Sequence, residues 1–546
     1  MKTKFQGRKI MSIRQLFGKL FLMALMISSC SLLLTAEEKI DYQMIVKIRE
    51  EGLNNSQVME LAQYLTDVYG PRLAHSPSYN EALSWAEQKF KQWGLKKVTI
   101  EPWGKFGLGW ENQYTSVHMI TPRYMTVIAY PLAWTAGTKK KIQAPTVYVN
   151  TEELFNQKDL NFYRGKLKGK IVFIKPKRKL KLNFKPDAVR LSREELEDMA
   201  TLRITKPTQI NSGLHKNLEN LPAGNLGTKK RTLSWEQIEE FLRQEGALVL
   251  VEPGMGADTM DKGTVRVNDY PPILPEDPIP LPHLVVAAEH YNRMMRLMER
   301  GYQVKMEVDI KNKFYDDDLR DYNLIAELPG SDLKDEIVMI GAHLDAVSAA
   351  TGATDNAAGS AVVMEAMRIL KTINAQPRRT IRAALWGAEE CGHLGSRGYV
   401  RQHFYDPQKK IKLPEYDKFY VYFNVDWYGR IRGIYLQGND LARPIFEAWM
   451  KPFHDLGMTY LVPGNTGGTD HMSFLEVGLP GFQFIQDDLE FFTKTFHTNM
   501  DVFDRLVPED LRQAAVILAA FAYNAATREG KFPPPTPIEN GRRWHK

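Results

Sequence analysis

Short apolar runs in the second half of the chain alternate with helical patterns, and each run leads to an acidic residue or a histidine. The runs are Glu336–Ala342, Thr380–Gly387, Phe419–Val425 and Pro480–Gln486. Their length and composition predict buried strands, and the stretch from Ala357 to Leu370 predicts a helix between the first two. Strands that alternate with helices indicate an α/β fold whose central strands run parallel.

Acidic and imidazole side chains lie where these strands end or in the loops that follow. They are His343, Asp345, Asp355, Glu389, Glu390, Asp426 and His497. Open α/β sheets place their sites at the carboxyl ends of strands, so we expect these groups to converge. Clustered carboxylates raise one another's pKa, and divalent cations remove that cost. Each residue alone has an ordinary explanation as a loop or capping residue, but together they predict a site for a metal such as zinc.

Periodicity also divides the chain into parts, since 546 residues are too many for a single core. Helical patterns come first, then short strands and loops, and the alternation of strand and helix resumes near residue 302. The middle part therefore looks inserted into an α/β domain. The predicted parts are a leader at 1–36, the beginning of the α/β domain at 41–123, a mostly β insert at 124–301, the metal-binding part at 302–530 and a Pro-rich tail at 531–546.

The leader has basic residues followed by an apolar run from Leu20 to Ile27, which is typical of a secretory signal and short for a membrane span. Cleavage after Ala36 predicts a periplasmic or secreted protein. The alternative is lipidation of Cys30, which follows a lipobox-like sequence and would anchor the chain to a membrane. The apolar run resumes after Cys30, which favours the first reading. Without the leader only Cys391 remains, so no internal disulfide is expected.

The net charge of +7 changes this picture little, because the basic excess gathers in Lys166–Lys185. That segment is either a solvated insertion or a surface for an anionic cell-surface partner. No nucleic-acid-binding motif accompanies the charge, so nucleic acid is not an expected partner. The expected partners are peptide substrates, and a homodimer is left open.

Several of these motifs resemble those of the M28 family of zinc peptidases. The matching segments are His343-Leu344-Asp345, Ala353–Gly359, Trp386–Glu390, Asn424-Val425-Asp426, Gly468–His471 and His497–Asp501. The middle part is similar to a protease-associated domain, with Leu167–Val172 and Gly246–Leu250 as its typical strands. The whole resembles the branch of the family that contains carboxypeptidase Q. The resemblance implies an α/β/α, phosphorylase/hydrolase-like zinc exopeptidase domain with a mixed sheet, interrupted by the protease-associated domain.

The resemblance also implies a role for each site residue. His343 and Asp426 would hold one zinc, Glu390 and His497 a second, and Asp355 would bridge the two ions. Asp345 would orient His343, and Glu389 would be the general base on a zinc-bridging water. The peptide bond between Asp355 and Asn356 is expected to be cis. Asp470, His471 and Phe496 are candidates for the substrate pocket.

The sequence leaves the cleaved bond open between an aminopeptidase and a carboxypeptidase or dipeptidase acting on short peptides. An aminopeptidase needs acidic groups for a free amine, and Asp487 and Asp488 favour that choice slightly. Two rival functions are a non-catalytic receptor or scaffold of the same fold and a single-zinc acyltransferase like glutaminyl cyclase. A complete set of two-metal ligands argues against both, and zinc stoichiometry distinguishes them.

Overall fold

The computed structural model of the protein describes residues 38–201, 233–255 and 263–535. The predicted leader with Cys30 and the end of the predicted tail lie outside the described residues. Within the described residues, no helix combines the length and apolar character that a membrane span requires.

The strands and helices below carry labels in chain order. The strands are β1 (Lys96–Lys105), β2 (Gly109–Thr121), β3 (Met125–Thr126), β4 (Ala129–Pro131), β5 (Ile142–Tyr148), β6 (Ile171–Phe173), β7 (Val249–Pro253), β8 (His283–Val286), β9 (Lys305–Tyr315), β10 (Arg320–Leu328), β11 (Leu333–His343), β12 (Arg379–Trp386), β13 (Tyr405–Asp406), β14 (Ile411–Lys412), β15 (Phe419–Asn424), β16 (Ile431–Tyr435), β17 (Tyr460–Val462) and β18 (Gly481–Gln486). The α-helices are α1 (Tyr42–Asn54), α2 (Val58–Gln63), α3 (Pro77–Gln92), α4 (Gln157–Asn161), α5 (Arg193–Thr201), α6 (Trp235–Gln244), α7 (Ala288–Glu299), α8 (Ala358–Thr372), α9 (Leu394–His403), α10 (Arg443–Met450), α11 (His471–Leu475) and α12 (Pro508–Thr527). Short 3-10 or π turns cover Tyr64–Val68, Thr151–Glu153, Ala353–Ala357, Tyr416–Lys418, Asp440–Ala442, Lys451–Leu456, Phe491–Thr495 and Phe503–Arg505.

A central sheet carries the predicted strand ends in the order β1-β10-β12-β11-β15-β18-β16-β17. The four strands predicted from the apolar runs, β11, β12, β15 and β18, are neighbours and pair in parallel. The register sets His343 opposite Trp386 and Gly341 opposite Asn424, so these strands end at the same edge. The mixed α/β fold predicted from the sequence is therefore confirmed.

Helices cover the central sheet because their apolar faces need a partner. α12 begins with Pro508 at its first position, where no helical N–H is lost, and is buried along almost its whole length. It packs against α8, which is also buried nearly throughout. α3 begins where the Ser76 hydroxyl accepts the Tyr79 N–H at 3.2 Å.

A second sheet, ordered β3-β2-β9-β5-β6-β7-β8-β4, contains the strands of the middle part. Its two longest strands, Gly109–Thr121 and Lys305–Tyr315, pair with each other and both lie outside the predicted range 124–301. One face packs in a cluster that includes Phe173, Val251 and Tyr291. The opposite face packs against α6 through Ile238 and Leu242. The domain boundaries themselves stay predictions.

The long strands β1 and β2 have no counterpart in the sequence analysis, which describes this region only by its helices. Both strands mix exposed polar residues with apolar ones, so neither shows the compact apolar run that marks the buried strands. The described part of the segment after Asp187 contains a helix. α5 lies within it and buries Leu196 against Tyr435, Val462 and Ile485 of the central sheet.

Candidate metal centre

The predicted ligands converge at the carboxyl edge of the central sheet. His343 is the last residue of β11, and Asp426 lies two residues after the end of β15. Asp355 lies in the turn Ala353–Ala357 that leads into α8, and Glu390 follows β12. His497 comes from the loop after β18. Parallel pairing of the strands therefore collects groups that lie far apart in the sequence.

Two groups of donor atoms share one carboxylate. The Nε2 atom of His343 lies 3.1 Å from Asp355 Oδ1 and 3.2 Å from Asp426 Oδ1. The Nε2 atom of His497 lies 2.9 Å from Glu390 Oε2 and 3.6 Å from Asp355 Oδ2. Within each group the donor atoms all lie within 4.8 Å of one another. Asp355 thus offers one oxygen to each group.

The chemistry of these groups fits zinc. Each offers one imidazole nitrogen and two carboxylate oxygens, which zinc accepts readily. Burial, together with the charge of Glu390, raises the pKa of Asp355 to about 6. Burial and the nearby Asp345 and Asp426 raise the pKa of Glu390 to about 8, and its Oε1 atom is buried without a hydrogen-bond partner in the described structure. Bound cations would offset this crowding of carboxylates.

Asp345 holds both halves of the centre in place from a fully buried position. Its Oδ1 atom lies 3.5 Å from Nδ1 of His343 and accepts the Glu389 N–H at 3.1 Å. Its Oδ2 atom accepts the Glu390 N–H at 3.2 Å. The Nδ1 atom of His343 also lies 3.0 Å from the Asp345 carbonyl oxygen, so a proton on Nδ1 leaves Nε2 free to bind a cation.

Glu389 lies beside the two groups and belongs to neither. Its Oε1 atom is 3.2 Å from Nε2 of His393. Burial, reinforced by the charges of Asp426, Glu390 and Asp345, raises the pKa of Glu389 well above its usual range. A raised pKa makes this carboxylate a stronger proton acceptor than a solvent-exposed glutamate, as the predicted general base requires.

The peptide bond between Asp355 and Asn356 is cis, as expected from the resemblance. The side chain of Asn356 fastens this turn at two points. Its Nδ2 donates to the Val425 carbonyl at 2.9 Å, and its Oδ1 accepts the Gly359 N–H at 2.9 Å. The turn is thereby tied both to the end of β15 and to the start of α8.

Asp501 and Arg72 position the centre, and the sequence analysis gave neither a role. Asp501 is buried and accepts the Thr354 N–H at 2.6 Å and the Asp355 N–H at 3.1 Å, one with each carboxylate oxygen. Arg72 is fully buried and donates to the carbonyls of Leu344 and Gly352 at 2.7 and 2.8 Å. Asp501 ends the segment His497–Asp501, which resembles a family motif, and this resemblance was the available signal for it.

The three predicted pocket residues lie in different surroundings. The Phe496 ring packs against the His497 ring, with centroids 3.9 Å apart and the planes tilted by 33°. Asp470 is buried, and burial with the nearby Glu389 raises its pKa to about 8. His471 is also buried, and its Nε2 lies 3.0 Å from the Thr466 carbonyl. A role of the three in substrate binding stays a prediction.

Aromatic rings form a wall next to Asp426. Trp427, which the sequence analysis missed, lies 5.3 Å from Phe491 and 5.7 Å from Phe492 between ring centroids. Asp487, by contrast, was expected to meet a substrate amine, and that expectation is wrong. Its carboxylate is fully buried and paired with Arg190 at 2.7 Å, so it holds the chain just before α5 against the central sheet.

Comparisons with known proteins identify similar peptidases. Residues 323–522 match the model of peptidase family M28. Human carboxypeptidase Q is 23% identical over 490 residues, which cover 90% of this chain and 89% of that protein. Aminopeptidase YwaD of Bacillus subtilis (strain 168) is 32% identical over 203 residues, 36% of this chain and 42% of that protein.

Solved structures share the fold. A crystal structure of a peptidase M28 precursor from Shewanella amazonensis SB2B has a TM-score of 0.63 at 24% identity, covering 91% of this chain and 98% of that one. A zinc aminopeptidase from Bacillus subtilis has a TM-score of 0.53 at 19% identity and covers 88% and 98%.

Proposed function

This chain belongs to peptidase family M28 through residues 323–522, and on that premise we propose that it is an exported exopeptidase working with two zinc ions. Its substrates are dipeptides or short peptides. The observation that carries the proposal is the shared carboxylate of Asp355, whose two oxygens face two separate histidines. A single-ion site has no need of a second imidazole on the far side of that carboxylate.

The residues that would hold zinc divide into two sets around Asp355. His343 and Asp426 form one set, and Glu390 and His497 form the other. When bound, zinc supplies Lewis acidity to the peptide carbonyl and lets water act as a nucleophile near neutral pH. The chain itself must then position the substrate and move the protons.

Glu389 is the group that moves protons in this proposal. It takes a proton from the attacking water and passes it to the leaving amine, so the carboxylate ends the cycle as it began. Burial raises the pKa of Glu389, which favours its taking the proton of the attacking water. Asp345 supports Glu389 by accepting its backbone N–H, which keeps this carboxylate beside the metal ligands.

The direction of cleavage, the identity of the middle sheet and export are proposed from the relatives and from the leader. Carboxypeptidase Q and aminopeptidase YwaD are both exopeptidases by name, and they leave both directions of cleavage open for this chain. The middle sheet is proposed to be a protease-associated domain. The leader at 1–36 is proposed to direct export.

The deciding experiment is metal analysis of the purified full chain with hydrolysis of dipeptides and aminoacyl-anilides. Two zinc ions per chain and turnover that a chelator abolishes and zinc restores are expected. Preference for free dipeptides over anilides would identify a dipeptidase, and the reverse an aminopeptidase. One zinc with cyclisation of N-terminal glutamine would contradict the proposal. A folded chain that neither binds zinc nor turns over substrate would also contradict it.

A further inference from the structure

A strand-like segment of the middle part, Thr264–Tyr270, reaches the metal centre. The Val267 N–H donates to the carbonyl oxygen of His497 at 3.0 Å, and the Asn499 N–H donates to that of Val265 at 3.2 Å. The Asn499 side chain returns the contact by accepting the Val265 N–H at 2.6 Å. Arg266 stands between these contacts and bridges to Thr498 in antiparallel fashion. Its position relative to His497 is therefore fixed by backbone pairing.

The side chain of Arg266 lies beside the metal ligands. Its guanidinium carbon is 4.5 Å from the centroid of the Phe496 ring, and that ring packs against the His497 ring at 3.9 Å between centroids. Burial lowers the pKa of Arg266, while the charges of Glu390 and Asp355 act in the opposite direction. The guanidinium is therefore mostly shielded from water, and it lies close enough to Glu390 and Asp355 to interact electrostatically with both carboxylates.

This guanidinium has no hydrogen-bond or ion-pair partner among the described residues. It makes a cation–π contact with Phe496, and no ion pair or hydrogen bond from its N–H groups reaches a described side chain or carbonyl. Cations bound by Glu390 and Asp355 would neutralise the negative charge of those carboxylates. Arg266 would then be a largely buried cation beside further cations, a costly arrangement unless an anion joins it.

We infer that Arg266 binds a carboxylate of the peptide substrate and so sets specificity. The inference rests on the proposed function and names its substrate class: peptides that carry a carboxylate near the cleaved bond. The planar guanidinium presents paired N–H donors that match a carboxylate. The ring of Phe496 supports its face and leaves those donors at the edge. The carboxylate is either the C-terminus of a dipeptide or an acidic side chain.

Three substrates separate these two sources: Ala-Ala, Ala-Ala-amide and Glu-Ala-amide. A C-terminal carboxylate predicts that Ala-Ala has a lower KM than its amide. An acidic side chain predicts that Glu-Ala-amide has a lower KM than Ala-Ala-amide. In either case Arg266→Ala should raise the KM of the favoured substrate about 10- to 100-fold and remove most of the preference. Arg266→Gln keeps a polar side chain but removes the charge and the paired N–H donors, and should give the same loss.

Arg300→Ala is the matched control, because it removes an exposed arginine that directly follows α7 in the middle part of the chain. It should keep the preference of the unaltered protein. Calorimetry of the same three peptides with zinc-loaded Glu389→Gln protein, with and without Arg266→Gln, measures binding apart from turnover.

Two outcomes would overturn the inference while the proposed function stands. One is an active two-zinc enzyme that treats all three peptides alike. The other is an Arg266→Gln variant that keeps the preference in both KM and calorimetric affinity. Absence of zinc and turnover in the unaltered chain would instead refute the proposed function.

Discussion

Glu389 is the residue on which the proposed chemistry depends most directly. Glu389→Gln keeps the shape and the backbone bond to Asp345 but cannot accept the proton of water. We expect kcat to fall by about 10²- to 10⁴-fold with zinc content unchanged. Steady-state kinetics with metal analysis checks both values, and Glu81→Gln on the exposed face of α3 serves as control. Retained turnover would remove Glu389 as the base.

Asp501 allows a second test at this scale, because it holds Asp355 through the backbone and does not belong to either ligand group. Asp501→Asn replaces one accepting oxygen by an N–H₂ group that faces a backbone N–H. We expect zinc affinity to fall about 10- to 100-fold, as for other groups that position metal ligands. Competition with a chromophoric chelator measures the affinity. The exposed Asp504→Asn is the control, and equal affinities in the two variants would contradict the role of Asp501.

The ligands could be predicted from sequence because each stands at or beside the end of a recognisable strand or in a specific motif. Residues that act across the fold could not. Arg72 donates to the carbonyl of Leu344, 272 positions away, and Arg266 pairs with Thr498 across a similar distance. Such contacts depend on how sheets and loops pack against each other, and the local periodicity of the sequence does not predict that packing.

The segment Thr264–Tyr270 is the element that joins the middle sheet to the site, and Asp269 anchors it. One carboxylate oxygen accepts the Ala133 N–H at 2.7 Å, and the other accepts the Ser348 N–H at 3.1 Å. Asp269→Ala leaves both donors unpaired, each at a cost of about 1–3 kcal/mol. We expect a lower melting temperature and faster hydrogen exchange in residues 263–270 and 497–501.

Asn268→Ala is the natural comparison for that variant, since residue 268 is exposed on the same segment. Differential scanning calorimetry measures the melting temperatures of both variants, and hydrogen-exchange mass spectrometry measures the exchange rates of the two segments. Equal melting temperatures and equal exchange would show that the anchor does not hold the segment.

At the scale of elements, the buried parallel strands were predictable and the long strands of the second sheet were not. β11, β12, β15 and β18 are apolar on both faces, as strands covered by helices must be. β2 alternates less clearly and takes its partner β9 from nearly 200 residues away. Its pairing with β9, more than its own sequence, makes it a strand.

The whole molecule should respond to pH differently with and without zinc. In the metal-free protein burial raises the pKa of Glu390 to about 8, so between pH 6.5 and 8 the folded state holds a proton that the unfolded state has lost. Stability of the metal-free protein should therefore fall as pH rises through this window. His497, whose pKa burial lowers to about 4, is neutral in the folded state throughout this window. In the unfolded state it loses its remaining proton between pH 6.5 and about 7.5, so it opposes the trend only at the lower end of the window.

Zinc binds the deprotonated ligands, so its stabilising effect should grow as pH rises over the same window. Melting temperatures of chelated and zinc-loaded protein at pH 6.5, 7.25 and 8 measure the difference. A difference that stays constant or shrinks towards pH 8 would contradict the assignment of Glu390 as a ligand.

The backbone pairing of Val267 with His497 has a consequence for how this chain can be recombined. An insert that only sat on the surface could be exchanged between relatives at its two junctions. Here the middle part supplies hydrogen-bond partners to the loop that carries His497, a proposed zinc ligand. The segment around Val267 and the loop around His497 must therefore be structurally compatible with each other. A chimera that takes its insert from another member of the family should work only when residues 497–499 come from the same parent.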